Sequence, residues 1–188
     1  MATPTAAALA PHEQAMVEVW ERHMRAEFAD RSADAALETM SATPHLNHVP
    51  VMTGGVGRDE IRTFYATRFV PKMPPDTAIE LLSRTVGQDR IVDELIFKCT
   101  HTVAMDWFLP GVAPTGRRIE VPMVVGIEFQ GDRIASEHIY WDQASVLVQI
   151  GLLDAGKLPV AGVETAAKMR DPERPSNALI ARADRAQA

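Results

Sequence analysis

The sequence predicts an α+β fold in which helices come first, an antiparallel sheet follows, and one more helix closes the domain. Three observations carry this prediction. Near the amino end apolar residues recur at helical spacing, whereas from Asp76 onward they alternate with polar residues, as in half-buried strands. A third observation is the change of period at Asp142, after which Val146 and Ile150 return to helical spacing.

Length and composition favour one domain with a tail. The chain has 188 residues, of which 46% are hydrophobic, which suffices for one well-filled core and is short for two. We expect a flexible N-terminus over 1–10, a domain over 11–153 and a C-terminal arm over 154–188. The arm contains several prolines and ends in polar residues, so we expect it on the surface or against a partner subunit.

Charge and apolar content exclude several classes of partner. The formal net charge is −6 and the pI is near 5.5, which disfavours a nucleic-acid surface because phosphates call for clustered lysine and arginine. No run of eighteen apolar residues predicts a membrane span, and residues 1–10 lack the positive charge and apolar core of a secretory signal. The single Cys99 fits a reducing compartment. Cytoplasm is therefore the expected location.

Three helical segments are predicted before the sheet. Pro11 suits the first position of a long amphipathic helix, and Ser32 is a suitable N-cap for a shorter piece that runs to Met40. A third helix should begin near Gly57. The predicted buried stripes of the long helix and of the third helix comprise Val17, Trp20, Met24 and Phe28, and Ile61, Phe64, Tyr65 and Phe69.

The sheet is predicted as strands over 77–86, 91–107, 117–129 and 134–141. The Pro- and Gly-rich segment 109–116 is expected to form a long turn at a rim. Strict alternation in the second strand predicts one face that packs or lines a cavity, formed by Leu95, Phe97, Cys99, His101, Val103, Met105 and Trp107.

The junction between the last strand and the closing helix is the candidate site. Asp142 stands there beside Tyr140, Trp141 and His138, a mixture of groups that can orient a ligand and move a proton. Asp142 is also a natural N-cap, so it either caps the helix and does no chemistry, or acts as an acid/base. A capping role should hold the carboxylate ionised, whereas an apolar cavity should raise its pKa.

Several motifs in this order resemble the SnoaL-like polyketide cyclase group of the nuclear transport factor 2-like superfamily. The resemblance covers roughly residues 11 to 153, and the closing motif is its most specific part. It implies a cone-shaped, curved antiparallel sheet wrapped around the N-terminal helices, and a homodimer. The motifs that carry it are Gly57-Arg58-Asp59-Glu60-Ile61, Thr85-Val86-Gly87, Arg90-Ile91-Val92-Asp93-Glu94, Pro110-Gly111, Pro114-Thr115-Gly116, Tyr140-Trp141-Asp142-Gln143 and Val148-Gln149-Ile150-Gly151-Leu152-Leu153.

The same resemblance implies a chemistry. In SnoaL-like cyclases an aspartate at the start of the terminal helix drives an intramolecular aldol closure, without a metal or an organic cofactor. That role falls on Asp142. Polar partners in the pocket are often His or Asn, for which His48 and His101 are the candidates here. The expected function is cofactor-independent cyclisation or isomerisation of a small, apolar carbonyl compound.

The other candidates have structural interpretations as well. His101 is either a neutral core histidine or a pocket donor, and His48 either reaches the cavity as a donor to a carbonyl or lies on the surface. Alternation places His138 and Tyr140 on the Asp142 face, and the opposite face stays nearly as plausible. The expected substrate-binding set, whose members are as suited to a core as to a pocket, is Tyr65, Phe97, Met105, Trp107, His138 and Tyr140.

Two other functions stay open. One is a non-catalytic small-molecule-binding or dimerisation module, favoured by the lack of a second acidic group clearly paired with Asp142. The other is a lactone or epoxide hydrolase; against the lactone hydrolase, Cys99 stands in mid-strand and not on the strand-to-helix elbow that exposes a nucleophile. No metal is expected, because the histidine spacings are not diagnostic of a metal site.

Overall fold

The computed structural model describes residues 8–187 and confirms the α+β class. Helices α1 and α2 precede a six-stranded sheet, α3 lies between its second and third strands, and three helices follow the sheet. A π-helical turn at Tyr65–Phe69 and a 3-10 turn at Val70–Lys72 extend α3. The elements are α1 Pro11–Phe28, α2 Ala33–Glu38, β1 Met40–His48, β2 Thr53–Val56, α3 Arg58–Phe64, β3 Ala78–Val86, β4 Arg90–Thr100, β5 Arg118–Gln130, β6 Arg133–Trp141, α4 Gln143–Gln149, α5 Glu164–Arg170 and α6 Ala178–Gln187.

The sheet joins the antiparallel meander β3 to β6 to the antiparallel pair β1 and β2 through one parallel pairing. Its strand order is β2-β1-β6-β5-β4-β3, and every neighbouring pair is antiparallel except β1 with β6. The parallel register sets His48 opposite Ile139, so the end of β1 lies beside the end of β6. This pairing brings His48 of β1 next to β6, the strand that leads to the candidate site.

Helix α1 crosses the inner face of the sheet, and α5 lies on the outer face. The Trp20 indole of α1 donates to Asp93 of β4 at 2.8 Å. On the other side Arg170 of α5 pairs with Glu80 of β3 and Glu120 of β5. The concave face between α1 and the sheet therefore holds the main apolar core and the candidate site.

The predicted strand over 91–107 is wrong in its second half. Strand β4 ends at Thr100, and the backbone bonds from His101 to Arg117 and from Gly116 to His101 close the base of a loop. Within that loop the amides of Phe108 and Leu109 both donate to the Met105 carbonyl, which is the hydrogen bonding of a turn and not of a strand. The alternation of Val103, Met105 and Trp107 thus belongs to a loop that folds back over the core.

The C-terminal segment forms more structure than was predicted. Two helices, α5 and α6, form within the segment expected as an arm, and α5 packs against the chain's own sheet through the buried Ala166. Helix α6 was not predicted. Of the predicted N-terminal segment, residues 1–7 lie outside the described part of the chain. No helix in the range 8–187 has the length and apolarity needed to cross a membrane.

Candidate active site

A small apolar cavity lies between α1 and the inner face of the sheet. Its free volume is about 50 Å³, room for one or two water molecules at roughly 30 Å³ each. Two of its lining side chains are polar in character, Glu137 and His48. The lining comprises Trp20, Met24, Phe28, His48, Phe69, Ile79, Leu95, Phe97, Trp107, Met123, Val125, Glu137 and Ile139.

Glu137 places a carboxyl group at this cavity. It lies in β6, where it is 2% exposed, and its neighbour Ile139 points to the same face. Its Oε1 atom is 3.0 Å from His23 Nε2, although no hydrogen bond of good direction reaches that oxygen from a described residue. The carboxyl group is therefore buried in apolar surroundings with one basic neighbour.

The geometry of His23 fixes where its protons lie. Its Nδ1 is 2.6 Å from Thr39 Oγ1, and that hydroxyl donates to the Ala36 carbonyl at 2.6 Å. Because the Thr39 proton is used there, Nδ1 carries a proton and donates to Oγ1. The other nitrogen, Nε2, faces the carboxyl oxygens of Glu27 at 3.3 Å and Glu137 at 3.0 Å, so a proton must lie between them.

We name His23, Glu27 and Glu137 the buried triad. Burial alone would lower the pKa of His23, but the charges and hydrogen bonds of Glu137 and Glu27 outweigh it and raise that pKa well above 6.5. Burial raises the pKa of Glu137, the charge of His23 opposes the rise and Glu27 adds to it. Burial and mutual charge thus shift the pKa values of His23 and Glu137 together, as is common for groups at functional sites.

Tyr65 completes the polar surroundings of His23. Its hydroxyl is 3.3 Å from His23 Nε2, and the side chain is fully buried. Burial raises the pKa of Tyr65 well above 10.0, as do the charges of Glu137 and Glu27. Tyr65 was predicted as a substrate-binding residue; the structure places it behind the triad and not in the cavity lining, so it supports His23.

A metal ion is the alternative occupant of the triad. The three residues offer ligand atoms that all lie within 4.8 Å of one another. The separations of 3.0 and 3.3 Å from Nε2 are ion-pair contacts of one imidazole with two carboxyl groups. We therefore treat the triad as a group that shares protons.

His48 lines the cavity as a neutral imidazole. Its Nδ1 lies 3.2 Å from the Thr53 carbonyl, which can only accept, so Nδ1 carries the proton and Nε2 is an acceptor. Burial lowers the pKa of His48 to about 4. Its ring stands against those of Phe64, Phe69, Trp107 and Trp141, at centroid distances of 5.3–6.0 Å. Of the two places expected for His48, the structure has the one in the cavity lining, and in this tautomer its free nitrogen cannot donate to a carbonyl.

Asp142 does not line the cavity. It is exposed, and its carboxylate accepts a hydrogen bond from the Ser145 amide at 3.1 Å as the N-cap of α4. Along β6 the side chains of Glu137, Ile139 and Trp141 point to the inner face of the sheet. Asp142 follows the last residue of the strand and does not point to that face. Capping accounts for every contact of Asp142 that the structure gives, and its predicted acid/base role stays a prediction that this geometry does not favour.

His101 lies apart from His48 and the triad. The Thr115 amide donates to its Nδ1 at 3.4 Å, so the proton is on Nε2, which is buried and has no hydrogen-bond partner among residues 8–187. Burial lowers the pKa of His101. Met105, in the same loop, is fully buried in the core. Neither residue is part of the cavity lining, although Trp107 of the same loop is.

Of the other predicted substrate-binding residues, Phe97 and Trp107 line the cavity and two lie elsewhere. Tyr140 is 46% exposed on the outer face of the sheet. His138 lies on that face as well, where its Nε2 is 3.3 Å from His45 Nδ1. The face that they were expected to share with Asp142 is thus not the cavity side.

Cys99 is a buried thiol and not a nucleophile. Burial raises its pKa to about 12, so the reactive thiolate is not populated at neutral pH. This agrees with the sequence-based argument against a cysteine-dependent lactone hydrolase.

The sequence-based candidates omit His23 and Glu27, and they include no role for Glu137. A signal for the first two existed: a histidine and a glutamate four residues apart share one helical face, and in α1 that face is the buried one. For Glu137 the signal was a charged residue in phase with Ile139 and Trp141 on β6.

The chain belongs to the SnoaL-like polyketide cyclase family, whose model matches residues 12–150. This match includes α1, the whole sheet and α4, and therefore the cavity and the buried triad. Among curated proteins none matches the sequence.

Solved structures show the same fold. A SnoaL-like polyketide cyclase from Jannaschia sp. CCS1 is 20% identical with a TM-score of 0.59, over 79% of this chain and 100% of that one. A protein from Catenulispora acidiphila with a ketosteroid isomerase-like fold, solved with trimethylamine, is 18% identical with a TM-score of 0.55, over 72% and 94%. TerC, co-crystallised with polyporic acid, is 15% identical with a TM-score of 0.54, over 73% and 98%. These likenesses confirm the predicted fold, and the family is one of small-molecule enzymes.

Proposed function

We propose that this protein catalyses proton transfer on a small, largely apolar carbonyl compound, with Glu137 as the acid/base and without a metal or organic cofactor. One observation carries the proposal: a carboxyl group that lines an apolar cavity, is buried, and has its pKa raised by that burial. A general base works best when its pKa is near the working pH, which an exposed carboxylate does not reach.

The proposed step breaks a C–H bond next to the carbonyl group. Glu137 takes the proton, and the electron pair of that bond moves through the carbon onto the carbonyl oxygen to give an enolate. The enolate then attacks an electrophilic carbon, which is cyclisation, or takes a proton at another carbon, which is isomerisation. His23, held by Thr39, compensates the changing charge of Glu137 from 3.0 Å away.

Trp107 is the candidate donor to the enolate oxygen. It lines the cavity, and its Nε1–H is buried without a partner among the described residues. His48 cannot fill that role, because its free nitrogen is an acceptor. Its lone pair suits a ligand hydroxyl instead.

Hydrogen–deuterium exchange tests the proposal without knowledge of the natural substrate. A panel of small apolar ketones is incubated with the protein in D₂O, and loss of the proton signals next to the carbonyl is followed by NMR. We expect protein-dependent exchange that Glu137→Gln slows by roughly 10²–10⁴-fold. Glu94→Gln, an exposed glutamate of β4, is the matched control and should exchange at the unaltered rate.

Asp142→Asn separates the two candidate bases. If Glu137 is the base, this variant keeps most of the exchange activity, since Asn can also cap a helix. Loss of exchange in Asp142→Asn with full activity in Glu137→Gln would return the role to Asp142. Addition of EDTA should leave the rate unchanged, and a loss of activity on chelation would contradict a metal-free reaction.

The second candidate function is non-catalytic binding of a small molecule. The free volume of about 50 Å³ favours it, because pockets for drug-sized ligands usually have roughly 300–1,000 Å³. The trimethylamine complex of the Catenulispora protein is a precedent for a very small ligand in this fold. Tight binding of a compound that is recovered chemically unchanged after long incubation, with no ketone exchange, would favour this function. A homodimer and a cytoplasmic location stay predictions.

A further inference from the structure

Five of the thirteen residues that line the cavity are phenylalanine or tryptophan. Phe69 lies 4.9 Å from Trp107 and 6.0 Å from Phe28 between ring centroids, and Trp107 lies 5.7 Å from Phe97. Trp20 adds a fifth ring to the lining. An aromatic ring carries negative potential on its face, so rings that turn a face to one small space attract a positive charge.

The charged groups near the cavity add to this preference. The described lining contains no lysine or arginine, and its one histidine, His48, is neutral because its pKa is about 4. The carboxyl group of Glu137 lines the cavity, and it shares a single imidazole with the carboxyl group of Glu27, which is not part of the lining. Arg84 pairs with Asp93, to which two of its nitrogens donate at 2.8 Å each. Asp93 also accepts from Trp20, and its carboxylate balances the charge of Arg84.

We propose that this cavity binds a small organic cation, an alkylated ammonium group, with its methyl groups against the aromatic rings and its charge balanced by Glu137. The inference goes beyond the proposed function because it concerns the charge of the ligand and not its reaction. Aromatic rings together with a carboxylate are a chemistry suited to ammonium groups that cannot donate several hydrogen bonds.

The size of the cavity limits the ligand to a small group. About 50 Å³ is tight for an ammonium ion with several methyl groups, so the wall must yield slightly. Met24 and Met123 line the cavity, and methionine is the side chain that most readily adapts to an irregular space. The ligand is therefore a small alkylammonium ion, or the ammonium end of a longer molecule.

Binding of tetramethylammonium, compared with tert-butanol, tests the charge preference directly. The two probes have nearly the same size and shape, and only one is charged. Titrations of the full-length protein are followed by NMR chemical shifts at constant ionic strength. We expect tetramethylammonium to bind roughly tenfold more tightly than tert-butanol. Equal or weaker binding of the cation overturns the inference.

Three variants test whether tetramethylammonium binds in this cavity. Glu137→Gln should weaken tetramethylammonium binding roughly tenfold while tert-butanol binding changes little. Trp107→Leu keeps the wall apolar and should also weaken binding of the cation selectively, so the test survives if Glu137→Gln fails to fold. Glu94→Gln is the exposed control and should bind like the original protein. Cation binding that is unaltered in both cavity variants overturns the inference.

Failure of this inference and failure of the proposed function give different results. The titrations involve no turnover, so selective cation binding without ketone exchange keeps the inference and overturns the catalytic proposal. Ketone exchange that depends on Glu137, together with no preference for the cation, does the reverse.

Discussion

The two faces of the sheet each carry a cluster of glutamates, and their partners differ. On the inner face Glu137 and Glu27 share one imidazole in a buried place. On the outer face a surface network, formed by Glu80, Lys98, Glu120 and Arg170, pairs each glutamate with permanent cations. A carboxyl group of the inner cluster can carry a proton, whereas one of the outer cluster only forms ion pairs at the surface.

The pKa shifts of the two clusters run in opposite directions. The Lys98 hydrogen bond lowers the pKa of Glu80, and Arg170 adds to the effect. For Glu120, burial opposes the shift, but hydrogen bonds from Arg170 and Arg118 still lower the pKa. On the inner face burial raises the pKa of Glu137. The outer glutamates therefore stay ionised, whereas the inner one is suited to proton transfer.

Removal of the shared imidazole should have the largest effect on stability. His23→Gln leaves two buried carboxyl groups without their positive partner, so we expect unfolding to become easier by about 3–5 kcal/mol. Denaturant unfolding of the original protein and the variant measures this. The double variant His23→Gln, Glu137→Gln should lose clearly less than the sum of the two single losses, because it also removes one stranded carboxyl group. Additive losses would mean that the two residues do not interact.

Acid should destabilise the cavity wall through His48. Its pKa falls from 6.5 to about 4 on folding, so between these pH values the unfolded chain binds a proton that the folded chain does not. Stability from this group is present above pH 6.5 and is lost as the pH falls to about 4, with a total near 3 kcal/mol.

The variant His48→Gln isolates that contribution. Its amide can still donate to the Thr53 carbonyl, and it has no charge to gain. The difference in unfolding free energy between the original protein and this variant should shrink steadily from pH 6.5 to 4. Glu137 acts in the opposite direction in acid, because its raised pKa stabilises the folded state as the pH falls, but it is common to both proteins. A difference that does not depend on pH would show that His48 is not held neutral.

The outer network should show the smallest effect. Arg170 is about one-third exposed, and its ion pairs with Glu80 and Glu120 reach solvent. Arg170→Gln is therefore expected to change the thermal midpoint only slightly, and added salt should reduce that change further. Thermal unfolding at low and high salt checks this. A large loss that salt does not reduce would mean that α5 is held mainly through this arginine.

Much of the fold could be predicted, because the spacing of apolar residues along the chain indicates where many of its helices and strands lie. The stripe around Trp20, the alternation around Leu95 and the change of period at Asp142 each correspond to an observed helix, strand or junction. The prediction failed where alternation had two explanations. The loop after Thr100 buries Met105 and Trp107 by folding over the core, and period alone cannot distinguish that from a continued strand.

The candidate site was harder to predict, because it depends on contacts between distant segments. His48, Phe97 and Trp107 were identified as candidates and line the cavity. His23 was missed, since a histidine on a helix is buried or exposed according to what lies opposite, and that neighbour is Glu137 on the last strand.

The sequence by itself determined the family, the run of strands β3 to β6 with the helix that follows it, and the inward face of β4, whereas strands β1 and β2 and helix α6 were not predicted. Only the tertiary structure decided which carboxyl group meets the cavity. Asp142 and Glu137 are five residues apart on one strand–helix junction, yet the first caps a helix in solvent and the second is buried against His23. The physical reason is that a pKa depends on burial and on charges brought from elsewhere in the chain, and neither is a property of the local sequence.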